Sequence, residues 1–276
     1  MSLSSPPSDE SVSSLPDNPP LARHAVGWTV SAAVATWLLS VGSIFLASIG
    51  AQLGWMAWFY WRQAAMPTEA DMLESRSLTL ALALSTFVAH AVTLLWCWKL
   101  IERTSPLGPR AALGLDWWRQ SLWSRSGAIL GASLLAAPAF LAIGAWLEQY
   151  LPNAKTDLDR ILALGPSIRV AIALVAALSA PLVEEIVYRG ILFGALQRRF
   201  GAVAAVALVS VLFLVVHIPQ YWGGWAGLTM LGLLSLALTL LRALTGSVAP
   251  SMALHYAFNG IQAIAIIFFW ELLEAS

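Results

Sequence analysis

Charged residues are scarce in this sequence of 276 residues: Asp, Glu, Lys and Arg together make up only 11% of it, whereas 59% is hydrophobic. Soluble domains carry about 25% charged residues, so the composition excludes an ordinary soluble globular protein. The mean hydropathy is +0.74. We therefore interpret the chain as an integral, multi-pass membrane protein.

Cysteine and an excess of basic charge are missing as well. The single cysteine, Cys97, excludes a disulfide within the chain and a metal site built from several cysteines. The 15 Lys and Arg residues are balanced by 15 Asp and Glu residues, so no nucleic acid is expected as a partner. The partner that the composition does predict is the lipid bilayer.

Aromatic residues are absent from the first 24 positions, where Ser, Pro and Asp are frequent. Such a segment cannot bury enough apolar surface to fold, and residues 1–24 are predicted to form a disordered tail. Residues 25–276 are predicted to form a single transmembrane domain without internal repeats.

Long apolar runs follow the tail. A spanning helix needs about 20 apolar residues, and seven runs approach that length. The fold class is therefore predicted to be all-α, a polytopic bundle of about seven transmembrane helices. The runs lie at about 26–50, 78–98, 127–147, 168–197, 202–218, 225–244 and 247–270.

Two local features modify this pattern. The segment 51–61 carries Trp55, Trp58 and Trp61 at a spacing of three residues, and we expect it to lie along the membrane interface. Pro181 falls inside the long fourth run and is expected to kink it, because proline removes a helical hydrogen bond.

The distribution of Lys and Arg predicts an orientation with the N-terminus inside and the C-terminus outside. In that orientation ten of the 15 basic residues lie on the inner side. The five on the outer side are Arg62, Arg76, Lys155, Arg160 and Arg169.

Strongly polar side chains are rare inside the predicted spans. A charge at mid-bilayer costs about 2.5–3.5 kcal/mol on insertion scales, so an intramembrane charge is a functional hypothesis. The residues that qualify are Glu184, Glu185 and Arg189 in the fourth run, His217 in the fifth, His255 and Asn259 in the seventh, and His90 in the second. For His90, a structural hydrogen bond is the favoured interpretation.

Helical spacing sorts these residues. Glu185 and Arg189 are four apart on one face, where they can form an ion pair. Glu184 points about 100° away from its neighbour and has no cation on its own helix. A lone buried carboxylate is costly, which suggests that Glu184 has a chemical use. His255 and Asn259 are also four apart and share a face.

Counting along the helices also places these residues at similar depths. At 1.5 Å per residue, Glu184 and His217 lie about 21 and 24 Å from the same short turn. His255 and Asn259 lie about 14 and 20 Å from the next turn on that side. Four polar residues from three helices are therefore expected in one slab of the membrane.

Three motifs lie in these spans. Residues 184–189 (EEIVYR) form EExxxR, residues 213–217 (FLVVH) form FxxxH, and residues 255–259 (HYAFN) form HxxxN. In this order on successive spans, they resemble the CAAX protease and bacteriocin-processing (CPBP, or Abi) family of intramembrane endopeptidases. The resemblance covers about residues 165–270, the predicted catalytic core, while the first three spans carry no motif of the family.

Peptide hydrolysis needs an activated water and donors for the developing oxyanion. Glu184 is suited to be the general base, and His217 to hold the same water and pass a proton to the leaving amine. His255 and Asn259 are suited to donate hydrogen bonds to the oxyanion. The resemblance implies the same four roles. It also implies that the remaining motif residues support the site: Glu185, Arg189 and Phe213.

A metal is the open question of this mechanism. Glu184, His217 and His255 would make a His₂Glu set, a known arrangement for catalytic zinc, and the family has been discussed both as metalloproteases and as glutamate-dependent enzymes. The sequence lacks an HExxH helix, and Asn259, a poor zinc ligand, shares a face with His255. We therefore expect no cofactor, with zinc as the alternative.

The leading interpretation is an endopeptidase of a bacterial-type cell membrane that acts on a membrane-bound or lipidated peptide or protein. A serine protease is disfavoured, because neither Ser179 nor Ser210 has a base at the spacing of a triad. One alternative is a catalytically idle membrane immunity or interaction protein of the same fold. Another is a proton-coupled transporter, since Glu and His also form proton relays, although two-fold repeats are not detectable.

Overall fold

The structure, a computed structural model, describes residues 27–106, 108–116, 123–151 and 154–275. These residues form helices joined by short turns, and no strand occurs among them. The predicted disordered tail, residues 1–24, lies outside the described residues. The first six helices are α1 (Val30–Gln63), α2 (Glu69–Leu73), α3 (Arg76–Thr104), α4 (Gly108–Ala112), α5 (Trp123–Glu148) and α6 (Asp157–Ala163).

The next helix runs from Pro166 to Phe200 and changes its hydrogen-bond pattern several times. Its parts are α7 (Pro166–Leu174), a first π segment (Val175–Ser179), α8 (Ala180–Glu184), a second π segment (Glu185–Leu192) and α9 (Phe193–Phe200). In a π-helix each N–H donates to the carbonyl five residues back, and such segments are frequent at functional sites. Pro181, where a kink was predicted, lies in the first turn of α8, directly after the first π segment.

Four helices complete the chain: α10 (Ala202–His217), α11 (Trp225–Thr245), α12 (Ala249–Phe268) and α13 (Trp270–Ala275). Within the described ranges, six helices are long and apolar enough to cross a membrane, namely α1, α3, α5, the helix from Pro166 to Phe200, α11 and α12. The apolar helix α10 is shorter, with 16 residues, or about 24 Å. The prediction of an all-α bundle of about seven spans is confirmed.

The prediction of a separate interfacial segment at residues 51–61 is wrong. Helix α1 continues without a break to Gln63 and has 34 residues, which is about 51 Å and exceeds the bilayer core of about 30 Å. No proline interrupts it. The buried Trp55 donates from Nε1 to the Ser77 hydroxyl at 2.9 Å, which fastens the end of α1 to α3. A tryptophan spacing of three also fits one face of a continuous helix.

Helix ends follow local signals in the sequence. The side-chain oxygens of Thr29, Thr68 and Thr156 cap the N-termini of α1, α2 and α6. Gly201 (φ 85°) and Gly246 (φ 70°) end α9 and α11 with positive φ angles, which glycine adopts without steric cost. Each glycine allows the chain to reverse within one or two residues, so that α10 and α12 return across the bundle.

Two clusters of buried apolar side chains hold the bundle together. The larger cluster includes Ala33, Cys97, Val187, Ile191 and Phe213, from α1, α3, the second π segment and α10. The smaller cluster, from α5, α11 and α12, is formed by Ala137, Met230, Leu234, Leu238, Leu254 and Phe258. The second π segment packs against α1, α3, α10 and α11. It therefore lies at the centre of the bundle, where the polar residues of the EExxxR motif need partners.

Candidate active site

The second π segment carries a completely buried ion pair. Arg189 Nη1 donates to Glu185 Oε1 at 3.2 Å, and both side chains have an exposure of 0%. The ion pair that the spacing of four residues predicted is therefore present.

Arg189 uses its other donors on neighbouring helices. Its Nε donates to Thr239 Oγ1 at 3.3 Å, and its Nη2 donates to the carbonyl and the hydroxyl of Ser235 at 3.1 and 2.9 Å. The guanidinium carbon also lies 4.6 Å from the centre of the Phe213 ring, within the range of a cation–π contact. Arg189 thus ties the second π segment to α11 and α10.

His255 lies between the two glutamates of the motif. Its Nδ1 is 2.9 Å from Glu185 Oε1, and its Nε2 is 3.6 Å from Glu184 Oε2. A carboxylate only accepts hydrogen bonds, so Nδ1 carries a proton. The 3.6 Å separation is too long for a hydrogen bond, which leaves Nε2 available for another partner. The Glu184 side chain is 21% exposed, whereas that of Glu185 is completely buried.

His217 ends α10 and has a defined tautomer. Its Nδ1 is 2.7 Å from the carbonyl oxygen of Phe213, and a carbonyl can only accept. In a neutral ring the proton therefore lies on Nδ1, and Nε2 keeps a lone pair. The buried Phe213 ring stacks on His217 at 4.6 Å and meets His255 edge-on at 6.1 Å. Phe213 therefore has both imidazoles as neighbours.

Asn259 contacts the backbone beside Pro181. Ala180 N–H donates to the Val175 carbonyl, five residues back. The next carbonyl, that of Ala176, would need the N–H of residue 181, which proline lacks. Asn259 Nδ2 supplies the missing donor at 2.8 Å. An amide nitrogen carries two protons, so one N–H of Asn259 is still available for a substrate.

The first helices, to which no motif belongs, also contact the second π segment. Trp37 Nε1 in α1 donates to the Tyr188 hydroxyl at 3.0 Å. Trp28 Nε1, just before α1, donates to the Ile191 carbonyl at 2.9 Å. Sequence reasoning missed both contacts, because the partners are 151 and 163 residues apart and no spacing connects them.

His90 in α3 contacts the first π segment. Its Nδ1 is 2.8 Å from the Ser179 hydroxyl, which also lies 3.2 Å from the Val175 carbonyl. The hydrogen-bonded interpretation of the buried His90 is confirmed. Sequence spacing assigned no base to Ser179, whereas the fold brings a histidine to it from another helix.

The residues of the alternative zinc set do not form a metal site as arranged. No group of three His, Cys, Asp or Glu side chains placed to hold a metal occurs within the described ranges. The Nδ1 atoms of His217 and His255 are both engaged, by the Phe213 carbonyl and by Glu185. Glu184 and the two Nε2 atoms remain available, and these are the three groups that a His₂Glu set would use.

Comparison with known proteins gives two matches. Residues 166–261 match the family described as "Type II CAAX prenyl endopeptidase Rce1-like". The chain is also 29% identical over 159 residues to the Bacillus subtilis (strain 168) protein named "Putative membrane peptidase YdiL". That alignment covers 55% of this chain and 58% of the relative, which is less than two thirds of its length. No solved structure matches the chain.

A polytopic helical bundle with a buried glutamate and histidine cluster is consistent with both matches, one to a peptidase family and one to a protein named as a membrane peptidase. The matched segment contains the three motifs and all of the residues that form the cluster. The match to a CAAX endopeptidase family over residues 166–261 agrees with the resemblance that the motifs indicated.

Proposed function

We propose that this chain is an intramembrane endopeptidase that hydrolyses a peptide bond of a membrane-associated peptide or protein. The observation that carries the proposal is that the Phe213 ring contacts both His217 and His255, while Nε2 of His255 lies 3.6 Å from Glu184 Oε2. The buried Glu185–Arg189 pair lies beneath them and fixes His255 through Nδ1. Such a cluster is costly to bury and has the groups that amide hydrolysis requires.

Glu184 and His217 would activate the water. Glu184 is the partly exposed one of the two motif glutamates. The lone pair on His217 Nε2 can accept a hydrogen bond from the same water molecule. As the water oxygen attacks the carbonyl carbon, its proton moves to Glu184. When the C–N bond breaks, a proton returns to the leaving nitrogen, so the products are a free carboxylate and an amine.

His255 and Asn259 would stabilise the oxyanion. With Nδ1–H held by Glu185, His255 would donate from Nε2 to the developing negative charge as an imidazolium, in which both ring nitrogens carry a proton. The second N–H of Asn259 can do the same. Donors that are fixed before the reaction act strongly in a site that excludes water, and the contacts of both side chains with neighbouring helices provide that fixation.

The proposed substrate is a membrane-bound peptide or protein, with or without a lipid anchor. The test uses purified protein in lipid vesicles with two synthetic peptide libraries, one of which carries a farnesylated cysteine near the C-terminus. Cleavage in H₂¹⁸O is expected to place one ¹⁸O in the new carboxylate, detected by mass spectrometry. Substrate-dependent proton transport without cleavage would instead favour a transporter. The absence of both activities would favour an immunity protein.

Removal of metal is expected to leave this cleavage unchanged. The reason is that Glu184 and His217 can activate water without a Lewis acid, while the ligand candidates are not grouped around one point. The measurement is the cleavage rate before and after dialysis against a chelator, together with elemental analysis of the active protein. Stoichiometric zinc whose removal abolishes the rate, and whose return restores it, would overturn the metal-free mechanism.

A further inference from the structure

Arg242 is a buried cation that no motif includes. It lies in the last turn of α11 with an exposure of 5%, and it forms no ion pair with a carboxylate in the described part of the chain. Its Nε donates to the backbone carbonyl of Arg189 at 2.9 Å, and its guanidinium lies 5.6 Å from the centre of the Phe193 ring.

The Arg189 carbonyl needs this donor because the helix changes register there. Phe193 N–H donates to the Tyr188 carbonyl, five residues back. From Phe193 onward the helix is α-helical, so the N–H of Gly194 pairs four residues back, with Gly190. Where the spacing of the backbone hydrogen bonds changes from five residues to four, the Arg189 carbonyl is left without a backbone N–H donor. A buried carbonyl without a donor is unfavourable, and Arg242 satisfies it.

The first π segment also ends at a carbonyl without a backbone donor. It is the carbonyl of Ala176, which is left free because Pro181 has no N–H, and its donor is Asn259 from α12. Each π segment therefore ends at a carbonyl that a side chain of a neighbouring helix satisfies. Glu184 and Glu185 lie between these two contacts along the chain.

The register of the second π segment determines where the motif residues point. An α-helix turns about 100° per residue, and a π segment accommodates extra residues within a turn. If the segment lost its π pattern, the face that carries Glu184 and Glu185 would rotate by about 100° relative to α9. His255 and Thr239 would then no longer meet their present partners.

We propose that Arg242 is a positioning residue of the active site, which holds the second π segment in register through the Arg189 carbonyl. This proposal rests on the function proposed above. A cation in the last turn of a helix also stabilises the helix dipole. That role requires no contact with the Arg189 carbonyl.

The activity test compares Arg242→Met and Arg242→Lys with the matched control Arg199→Gln, which removes an exposed arginine from the same side of the bundle. Arg242→Met is expected to lower kcat by about 10²-fold, the scale of a misplaced catalytic group, with little change in KM and only a modest fall in the thermal midpoint. Arg242→Lys, which keeps a donor, is expected to recover most of the loss, and Arg199→Gln to behave as the wild type.

A second readout does not depend on activity. Amide hydrogen exchange of residues 186–197 is expected to accelerate in Arg242→Met, while exchange in α5 and α12 stays unchanged. Wild-type exchange in residues 186–197 would overturn the proposal, whatever the activity. A parallel loss of kcat and of folded protein would overturn it too, because it indicates a general structural role. If the wild type cleaves no peptide, the proposed function fails, and exchange alone decides the role of Arg242.

Discussion

Replacing Glu184 by glutamine is expected to lower turnover by at least about 10²-fold, the scale on which a positioned acid–base group contributes. Glutamine keeps the size of the side chain but cannot take a proton from water. Of the two motif glutamates, Glu184 is the one proposed to bind the water, since its side chain is 21% exposed against 0% for Glu185. The measurement is the rate of peptide cleavage by folded protein in vesicles.

The same loss is expected for His217→Ala, because the lone pair of its Nε2 is proposed to hold the same water. Glu148→Gln is the matched control, since this carboxylate is exposed at the end of α5. Wild-type rates in both folded site variants would rule out the assignment. If Ser179→Ala abolished cleavage while Glu184→Gln did not, the nucleophile would be the serine that contacts His90.

The sequence was sufficient to predict the bundle and one of its buried polar pairs. Glu185 and Arg189 form the predicted pair because i and i+4 residues of a helix are neighbours. Counting 1.5 Å per residue placed Glu184, His217 and His255 at one depth, and the structure brings His217 and His255 to the same aromatic ring. These predictions succeed because helix geometry and the cost of buried charge depend on local sequence alone.

The π segments could not be predicted in the same way. Hydrophobic periodicity is counted against 3.6 residues per turn, and an extra residue within one turn changes the count too little to be seen. Pro181 indicated a disturbance, but not which carbonyl it would leave free. The donors from Asn259 and Arg242 come from helices that are distant in the sequence, so only the assembled fold reveals them.

Contacts from the N-terminal half were missed for a similar reason. Trp28 and Trp37 resemble the tryptophans of a membrane interface, and their residue type alone predicts contact with lipid headgroups. Instead they donate to Ile191 and Tyr188 at the centre of the bundle. The first span is therefore part of the support of the site, although no motif marks it.

The second large effect is expected on stability. Arg189→Ala removes one member of a completely buried pair and leaves the Glu185 carboxylate without its cation, which costs about 3–5 kcal/mol. Ser235 and Thr239 lose their donor at the same time. We expect a marked fall in yield and in the thermal midpoint in detergent, larger than the fall in specific activity of the protein that still folds.

The chain contains its own control for this effect. Arg160 and Asp157 form an ion pair at the same distance, 3.2 Å, but with side-chain exposures of 72% and 69%. Exposed pairs contribute about 0–1 kcal/mol, so Arg160→Ala is expected to leave the thermal midpoint nearly unchanged. The comparison separates the burial of the charges from the pairing itself.

The double variant Glu185→Gln with Arg189→Met distinguishes a stranded charge from lost packing. It removes both charges while the glutamine oxygen can still accept from His255 Nδ1. Neutral replacements of a buried pair are often tolerated, so most of the stability lost in Arg189→Ala should return. If the double variant were as unstable as the single one, the packing of the guanidinium against Phe213 and α11 would be the main contribution. If Arg189→Ala instead had normal yield and thermal midpoint but no activity, the pair would belong to the chemistry rather than to its support.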